Sequence, residues 1–355
     1  MEQNKHPFPW LALIGQPAFC VKDGIVVDTN KAAWFRSVCT GDSVREMIGE
    51  HWDTYNSFQE GTMYFPATVE DEPYDITVIR TPEYDIFTMQ RDEDSDHLKA
   101  LALAAQQLRI PLSNVMTVTD RLLASLDEEN LQARQQAGQI NHSLFQLLRI
   151  VSNMSDAGNY RKTPFIGMQT ANITGVFRET MEKITATAAN ANICYTGPDR
   201  PILGLADTEK LERAIYNLMS NAIKFAVPGS AIDAKLAKKG DQLAFTVCNT
   251  QEANPEQRRF WDRYSREPAI EDVRYGLGLG MALISRTAAC HGGTVLIDHP
   301  KDGMTRVIMT IAIAKDSSAT VRTPIMRIGD YAGGRDKVLL EFADILPNTA
   351  YEDVN

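Results

Sequence analysis

The stretch that decides the fold is Leu211–Phe225, LERAIYNLMSNAIKF, read together with Tyr275–Ile284, YGLGLGMALI. The first stretch predicts a buried amphipathic helix, because its apolar residues recur every three or four positions. Asp207 is the predicted N-cap of this helix. It carries two asparagines, Asn217 and Asn221, one helical turn apart and therefore on one face. A carboxamide is costly in a plain core, but its oxygen is a good ligand for magnesium. The pair therefore indicates a polar site on this helix.

The second stretch has glycines at alternate positions, with Gly276, Leu277, Gly278, Leu279 and Gly280 in succession. The residues that follow predict a helix. A backbone that lacks Cβ atoms at a helix amino terminus can approach phosphate oxygens closely. The stretch therefore predicts a phosphate-binding turn that opens a helix.

In this order, the two stretches resemble the asparagine box and the second glycine box of the ATPase domain that histidine kinases share with gyrases. The resemblance implies an α/β-sandwich ATPase domain over residues 161–315 that binds ATP and magnesium. In the family the second asparagine of the box coordinates magnesium, a role that falls on Asn221, with Asn217 one turn before it. Lys224 matches a lysine that faces the phosphates, with a solvated lysine at the helix end as the alternative. Thr305 matches a threonine near the adenine.

The first glycine box of the family, Asp-x-Gly-x-Gly, is degenerate here. It would follow the predicted strand Gln242–Asn249, where Asn249 falls on the aspartate and both glycines are absent. The family aspartate accepts a hydrogen bond from the adenine amino group. An asparagine oxygen can accept the same bond without the charge that strengthens it, so the resemblance implies weakened adenine binding. Gln257–Arg266 resembles the phenylalanine box, and His291 resembles a structural histidine of the family.

Two long helices with a short connection are predicted between residues 91 and 160. Apolar residues recur in steps of three and four along both. The predicted core positions are Leu101, Ala105, Leu108, Leu112, Val115, Leu122 and Leu126, with Thr119 in the one gap, and Ala137, Ile140, Leu144, Leu147, Val151 and Met154. Two helices alone cannot bury stripes this wide. We therefore expect a long antiparallel helical hairpin that forms a homodimer through residues 97–159.

Ala104–Leu112, AAQQLRIPL, is similar to the phosphoacceptor box of histidine kinases, Ser-His-Glu-Leu-Arg-Thr-Pro-Leu. Gln106 stands in place of the histidine and Gln107 in place of the acidic residue after it. An imidazole nitrogen can attack the terminal phosphate of ATP, whereas the lone pair of a carboxamide nitrogen is delocalised and cannot. His97 and His142 are both expected at the surface of the hairpin. The resemblance therefore implies a homologue with no catalytic phosphoacceptor.

The sequence of residues 1–90 indicates a small sheet domain with short helices between its strands. Asp23 and Gly24 form a hairpin turn signal between two short apolar strands. The run Pro17–Ala33 resembles the opening of a PAS sensory domain, with an unrelated small sheet domain as the alternative. Residues 316–355 are a tail in which Asp336–Leu346 predicts a short amphipathic helix, and packing onto the ATPase domain and binding a partner are both open for it.

The composition narrows the possible function. The 355-residue chain carries a net charge of -10, which argues against nucleic acid and anionic membranes as partners. No apolar run reaches the ~18 residues of a membrane span. Its 5 cysteines are scattered without a CxxC pair, which is typical of reduced residues in a cytoplasmic protein.

The pattern as a whole indicates a multi-domain α+β protein: a PAS-like domain over 1–90, a hairpin over 91–160, an ATPase domain over 161–315 and a tail over 316–355. The function it favours is a two-component signalling pseudokinase that binds ATP and magnesium without phosphorylating itself. A nucleotide-free dimeric scaffold that docks a partner kinase or response regulator is one alternative. An active kinase, acting in trans or through another histidine, is the other. Gyrase-like and chaperone ATPases lack the helical hairpin and are disfavoured.

Overall fold

The computed structural model of the chain describes residues 8–58, 61–91, 96–126, 130–159, 168–251, 279–301, 303–313, 332 and 334–352. Within these ranges, ten strands form one mixed sheet, and the strands Gln169–Asn172 and Leu203–Ala206 pair with each other. The order in the large sheet is Ile25–Thr29, Ala18–Lys22, Asp85–Arg91, Glu72–Arg80, Gly61–Val69, Val295–Asp298, Met304–Ala312, Gln242–Thr250, Ala231–Lys239 and Asn192–Thr196. No helix in the described ranges is both long enough and apolar enough to cross a bilayer.

The N-terminal part is a five-stranded antiparallel sheet with short helices, as its alternating sequence predicts. Asp23 and Gly24 have φ angles of 51° and 77°, the positive values that a two-residue hairpin turn requires. The elements are β1 (Ala18–Lys22), β2 (Ile25–Thr29), α1 (Lys31–Trp34), α2 (Val44–Ile48), α3 (Trp52–Ser57), β3 (Gly61–Val69), β4 (Glu72–Arg80) and β5 (Asp85–Arg91).

Two long helices follow, α4 (Asp96–Ser125) and α5 (Leu131–Asn159), and they pack along each other. The predicted apolar stripe divides into two sets. Ala105, Leu112 and Thr119 in α4, and Ala137, Leu144 and Val151 in α5, are buried within the chain. The alternate positions Leu108, Val115, Leu122, Ile140 and Leu147 are exposed.

The C-terminal unit has helices packed on a sheet, around one apolar core. Strand β9 alternates exposed and buried residues, so the helices cover one face of it. The elements are β6 (Gln169–Asn172), α6 (Ile173–Thr187), β7 (Asn192–Thr196), β8 (Leu203–Ala206), α7 (Thr208–Phe225), β9 (Ala231–Lys239), β10 (Gln242–Thr250), α8 (Leu279–Cys290), β11 (Val295–Asp298) and β12 (Met304–Ala312).

A strand pairing with no counterpart in the sequence predictions joins the N-terminal strands to the C-terminal unit. Strand β3 of the N-terminal part pairs antiparallel with β11 of the C-terminal unit, with Met63 opposite Leu296. At the start of β3, a Cβ atom on Gly61 would lie 2.0 Å from the carbonyl oxygen of Ile297. Only glycine allows this approach, so the seam depends on that residue.

The last described segment, residues 334–352, lies against both the long helices and the C-terminal unit. We call it the C-terminal segment. It contains a short helix, α9 (Lys337–Glu341), whose N-cap Asp336 accepts hydrogen bonds from the amides of Val338 and Leu339 at 2.7 and 3.0 Å. The helix predicted over Asp336–Leu346 is thus correct at its start and too long, since turns follow Glu341.

Candidate functional site

Helix α7, which carries both asparagines, is anchored at its start by Asp207. The carboxylate accepts a hydrogen bond from the amide of Lys210 at 3.1 Å, which is N-cap geometry. Lys210 Nζ also lies 3.0 Å from Asp207 Oδ2. The predicted cap is therefore confirmed, and it fixes where the helix begins and so which residues share its faces.

His291, just beyond the end of α8, ties that helix to α7. Its Nε2 accepts a hydrogen bond from the amide of Asp207 at 3.1 Å, and its Nδ1–H donates to the carbonyl of Thr287 at 2.7 Å. These contacts fix the neutral tautomer. Burial lowers the pKa of the ring, against the opposing hydrogen bond to Thr287. The geometry agrees with the prediction that His291 has a structural role.

The asparagine pair lies against the first turn of α8. Asn217 is 2% exposed, and its Nδ2 donates to the carbonyl of Arg213 at 3.0 Å within α7. A Cβ atom on Gly280 would lie 3.2 Å from Asn217 Oδ1 and 3.9 Å from Asn221 Nδ2. Asn221 Nδ2 also lies 4.0 Å from the sulfur of Met281. Three predicted site residues, from stretches far apart in the sequence, therefore meet at one place.

This arrangement fits a magnesium-bound polyphosphate. The first amides of a helix have no partner within it and carry a partial positive charge, so the start of α8 would favour an anion next to Asn221. The missing Cβ at Gly280 keeps open the space in front of the two carboxamides. A carboxamide oxygen and phosphate oxygens are the hard ligands that magnesium prefers. No cluster of acidic, histidine or cysteine ligands occurs in the described part of the chain, so phosphate oxygens would have to complete such a site.

Asn249 and Thr305 are direct neighbours on strands β10 and β12. Asn249 is 5% exposed, and its Nδ2 has no hydrogen-bond partner among the described residues. Thr305 Oγ1 lies 3.3 Å from His299 Nδ1. A buried amide donor without a partner is unusual in native proteins and is the kind of group that a ligand satisfies. The pair thus provides polar atoms suited to a base, at positions that the sequence singled out.

The two groups of residues lie toward the same end of the unit. The loop after α7 returns to the end of β10, where the amide of Val227 donates to the carbonyl of Thr250 at 2.8 Å. Asn221 is near the C-terminal end of α7, and Asn249 is next to Thr250. The fold therefore brings the asparagine pair and the strand pair toward one edge.

Lys224 makes a contact that neither sequence interpretation foresaw. Its Nζ lies 3.5 Å from Asp344 Oδ2 of the C-terminal segment, and its side chain is 11% exposed. A solvated lysine at the helix end is therefore not what the structure has. Asp344 lies outside the region of family resemblance, so no motif could indicate this ion pair.

The hairpin carries the two glutamines of the stretch that resembles a phosphoacceptor box. Gln106 and Gln107 are both exposed on α4. His142 was expected at the surface and is instead covered by the C-terminal segment. Its Nε2 is 2.5 Å from the carbonyl oxygen of Ala343, its Nδ1 contacts the side-chain amide of Asn348, and its ring stacks on Tyr351 with centroids 4.6 Å apart. Both ring nitrogens of His142 are thus engaged.

Several predicted site residues lie outside the described residues. They are Gly276, Leu277 and Gly278 of the glycine stretch, the side chain of Leu279, the aromatic stretch Gln257–Arg266, and the side chain of His97. Their expected roles stay predictions.

Comparison with known proteins adds an independent observation. Residues 206–315 match the family described as histidine kinase-, DNA gyrase B-, and HSP90-like ATPase. The matched region runs from just before the cap of α7 to just after β12, so it includes both asparagines, Gly280, Asn249 and Thr305. The ATPase-type fold of this unit is therefore shown by sequence as well.

Related full-length proteins are sensor kinases. The chain is 26% identical over 231 residues to the sensor-like histidine kinase SenX3 of Mycolicibacterium smegmatis, covering 60% of this chain and 59% of that protein. It is 26% identical over 235 residues to the sensor histidine kinase CusS of Escherichia coli O157:H7, covering 63% of this chain and 46% of that protein. The chain thus spans about half the length of these two relatives.

Among solved structures, full-length ShkA in complex with AMPPNP is similar with a TM-score of 0.49 and 21% identity, over 62% of this chain and 46% of that chain. Histidine kinase ThkA in complex with the response regulator TrrA is similar with a TM-score of 0.41 and 16% identity, over 86% of this chain and 98% of that chain.

Proposed function

Because this chain belongs to the histidine kinase family, we propose that it acts in two-component signalling, binding ATP with magnesium without phosphorylating itself. The observation that supports nucleotide binding is the approach of Gly280 to the carboxamides of Asn217 and Asn221. A side chain at position 280 would crowd these two carboxamides, beside which we propose that the phosphates bind.

Each part of the nucleotide has candidate contacts in this chain. Asn221 offers its carboxamide oxygen to magnesium, and the first turn of α8 offers amide groups to phosphate oxygens. Asn249 offers a buried carboxamide to the base beside Thr305. Since Asn249 has no charge, its hydrogen bond to an adenine amino group is weaker than that of an aspartate. We therefore expect binding with modest affinity.

Loss of autophosphorylation follows from the chemistry of Gln106. Its carboxamide nitrogen is not a nucleophile, and Gln107 supplies no carboxylate to act as a base. His142 is the other candidate whose side chain the structure describes. Its two ring nitrogens are engaged by the C-terminal segment, so it is not available for in-line attack on a phosphate.

We expect the chain to work as a homodimer through the long helices. Leu108, Val115 and Leu122 recur every seven residues on α4 and are 50%, 50% and 48% exposed. A seven-residue apolar repeat left half exposed is the surface that a second pair of helices would bury. A response regulator is the partner class that the family relationship suggests, because ThkA was solved with one.

Nucleotide binding and phosphate labelling on the purified chain together test this proposal. We expect magnesium-ATP to raise the melting temperature in a dose-dependent manner. We expect no acid-labile phosphate on the chain after incubation with γ-labelled ATP. Acid-labile phosphate on His97 or His142 would overturn the pseudokinase assignment while leaving ATP binding intact.

A nucleotide-free scaffold is the second candidate, and the degenerate first glycine box favours it. Without those glycines, the loop after Asn249 has less freedom to lie along a base. The scaffold predicts no thermal shift with ATP and magnesium, while the dimer still binds its partner. An active kinase in trans would instead show phosphate on an added partner and none on this chain.

A further inference from the structure

We propose that the C-terminal segment restrains the candidate nucleotide site, with Asp344 competing against the phosphates for Lys224. This inference rests on the proposed function and adds to it a built-in control on nucleotide affinity. This control depends on the fixed position of the segment, on the charge it brings to α7, and on the short distance from that charge to Asn221.

Apolar packing on α5 holds the segment in place. Tyr351 is fully buried, stacks on His142 and packs against Phe145 with ring centroids 5.1 Å apart. Asn141 Nδ2 donates to the carbonyl of Tyr351 at 3.2 Å. A Cβ atom on Gly138 would lie 2.6 Å from the side chain of Glu352. The absence of a side chain at Gly138 therefore lets the segment pack closely against α5. These contacts fix its path along the hairpin.

Buried charges tie the same segment to α7. Glu341 is fully buried, and its Oε1 accepts a hydrogen bond from Arg213 Nε at 3.2 Å. Its Oε2 lies 3.5 Å from Arg149 Nε, an ion pair without hydrogen-bond geometry. Arg149 also donates to Ser220 Oγ at 2.9 Å and to Asp344 Oδ2 at 2.7 Å. One arginine of α5 thus connects α7 with the segment and orients Asp344.

Asp344 in turn brings a negative charge to the last turn of α7. Its Oδ2 lies 3.5 Å from Lys224 Nζ. Lys224 is three residues after Asn221 in the same helix, so their side chains are neighbours on its surface. An anion bound beside Asn221 would be attracted by Lys224 and repelled by Asp344. The segment therefore lowers the positive potential at the place where phosphates would bind.

Thermodynamic linkage makes this antagonism reciprocal. If Asp344 weakens nucleotide binding, bound nucleotide must weaken the hold of Asp344 on Lys224 by the same factor. Nucleotide would then loosen the C-terminal segment from α5 and α7. This gives the chain an ATP-dependent change in the surface of its hairpin.

Asp344→Asn tests the charge with little change in shape, since Asp344 lies at the rim of the buried network. We expect this variant to bind magnesium-ATP about five to ten times more tightly by calorimetry. Asp241→Asn, in an exposed turn, is the matched control because it removes the same net charge and should leave the Kd unchanged. In a Lys224→Met background, the effect of Asp344→Asn should disappear.

Hydrogen exchange of the wild-type chain gives a second measurement that needs no variant. We expect peptides from residues 334–352 to exchange faster when magnesium-ATP is present. ATP binding with an unchanged Kd for Asp344→Asn and unchanged exchange of the segment would overturn the inference and leave the proposed function standing. Absence of ATP binding in the wild type and in Asp344→Asn alike would overturn both.

Discussion

Gly280 shows at the scale of one residue how sequence spacing becomes a site. Helical periodicity puts Asn217 and Asn221 on one face of α7 whatever the rest of the fold does. The alternating glycines predict a backbone that approaches phosphate oxygens, which stays a prediction, and the structure shows that Gly280 lies beside both asparagines. These residues could be identified from the sequence because each follows from local geometry.

We predict that Gly280→Ala separates nucleotide binding from stability. Its Cβ would meet Asn217 Oδ1 at 3.2 Å, at the place where we propose that the phosphates bind. Alanine is favoured over glycine within a helix by about 0.5–1 kcal/mol, which offsets part of that crowding. Calorimetry should show an affinity for magnesium-ATP at least about tenfold lower, equivalent to ~1.4 kcal/mol. The free energy of unfolding, measured with urea, should change by less than ~1 kcal/mol.

Gly15→Ala is the control for this substitution, because a Cβ there would meet nothing within 4 Å and its φ is not in the left-handed region. An unchanged affinity in Gly280→Ala would show that the phosphates do not use this turn.

The ion pair of Lys224 could not be predicted from the sequence. Its helix and its position relative to Asn221 could be predicted, and its partner could not. Asp344 lies in a segment that matches no family motif and reaches α7 only through tertiary packing. Contacts between distant residues have no local signal, and this is where the predictions failed.

At the scale of elements, the sequence predicted helix starts and turns correctly where a capping or turn residue gives a strong local signal. Asp207 caps α7, and Asp23-Gly24 turns the first hairpin, both as predicted. Strand β9 (Ala231–Lys239) was not predicted, since alanine and lysine favour strands only weakly. The sequence predicts a helix over Thr170–Ala188, but the structure has strand β6 up to Asn172, which caps α6 by accepting a hydrogen bond from the amide of Gly175.

We predict an acid-side loss of stability from the histidine that joins α8 to α7. Burial lowers the pKa of His291 in the folded chain, whereas the unfolded chain has a histidine of ordinary pKa, about 6.5. Below that pH the unfolded state binds the extra proton, so the free energy of unfolding falls as pH falls towards the folded pKa. We expect the free energy of unfolding, measured with urea between about pH 7.5 and 5.5, to depend less steeply on pH in His291→Gln than in the wild type.

His299→Gln is the matched control, because His299 is exposed on the same unit, and it should keep the wild-type slope. Burial also lowers the pKa of His51, so part of the slope will remain in every variant. Identical slopes for His291→Gln and the wild type would contradict a buried neutral imidazole at this contact.

At the scale of the whole molecule, the N-terminal strands, the hairpin and the C-terminal unit are connected by strand pairing and packing. The pairing of β3 with β11 and the packing of the C-terminal segment both join regions that the sequence predicts as separate. Edge strands offer unpaired backbone groups to any compatible edge, and composition does not say which edge they meet. The sequence therefore predicted the individual helices and strands better than the contacts between distant regions of the chain.

We predict that Val115→Glu converts a dimer into a monomer. Val115 is central in the exposed seven-residue repeat of α4, and a carboxylate there would be buried against its counterpart in a four-helix bundle. Ile110→Glu is the matched control: Ile110 is 69% exposed and lies about 140° around the helix from Val115. Sedimentation equilibrium should show a monomer for the first variant and a dimer for the second and the wild type. A wild-type monomer, or equal dimerisation of both variants, would show that this face is not the interface.

The measurement that tests the central claim most directly is calorimetry of ATP binding to the full chain and to Asn221→Ala, with and without magnesium. Asn190→Ala, in an exposed turn, serves as the control. We predict that the wild type and Asn190→Ala bind ATP more tightly with magnesium than without it. Asn221→Ala should lose that difference, because its carboxamide oxygen is the proposed protein ligand of the metal. Magnesium dependence that survives in Asn221→Ala, or no binding of ATP to the wild type, would contradict the account.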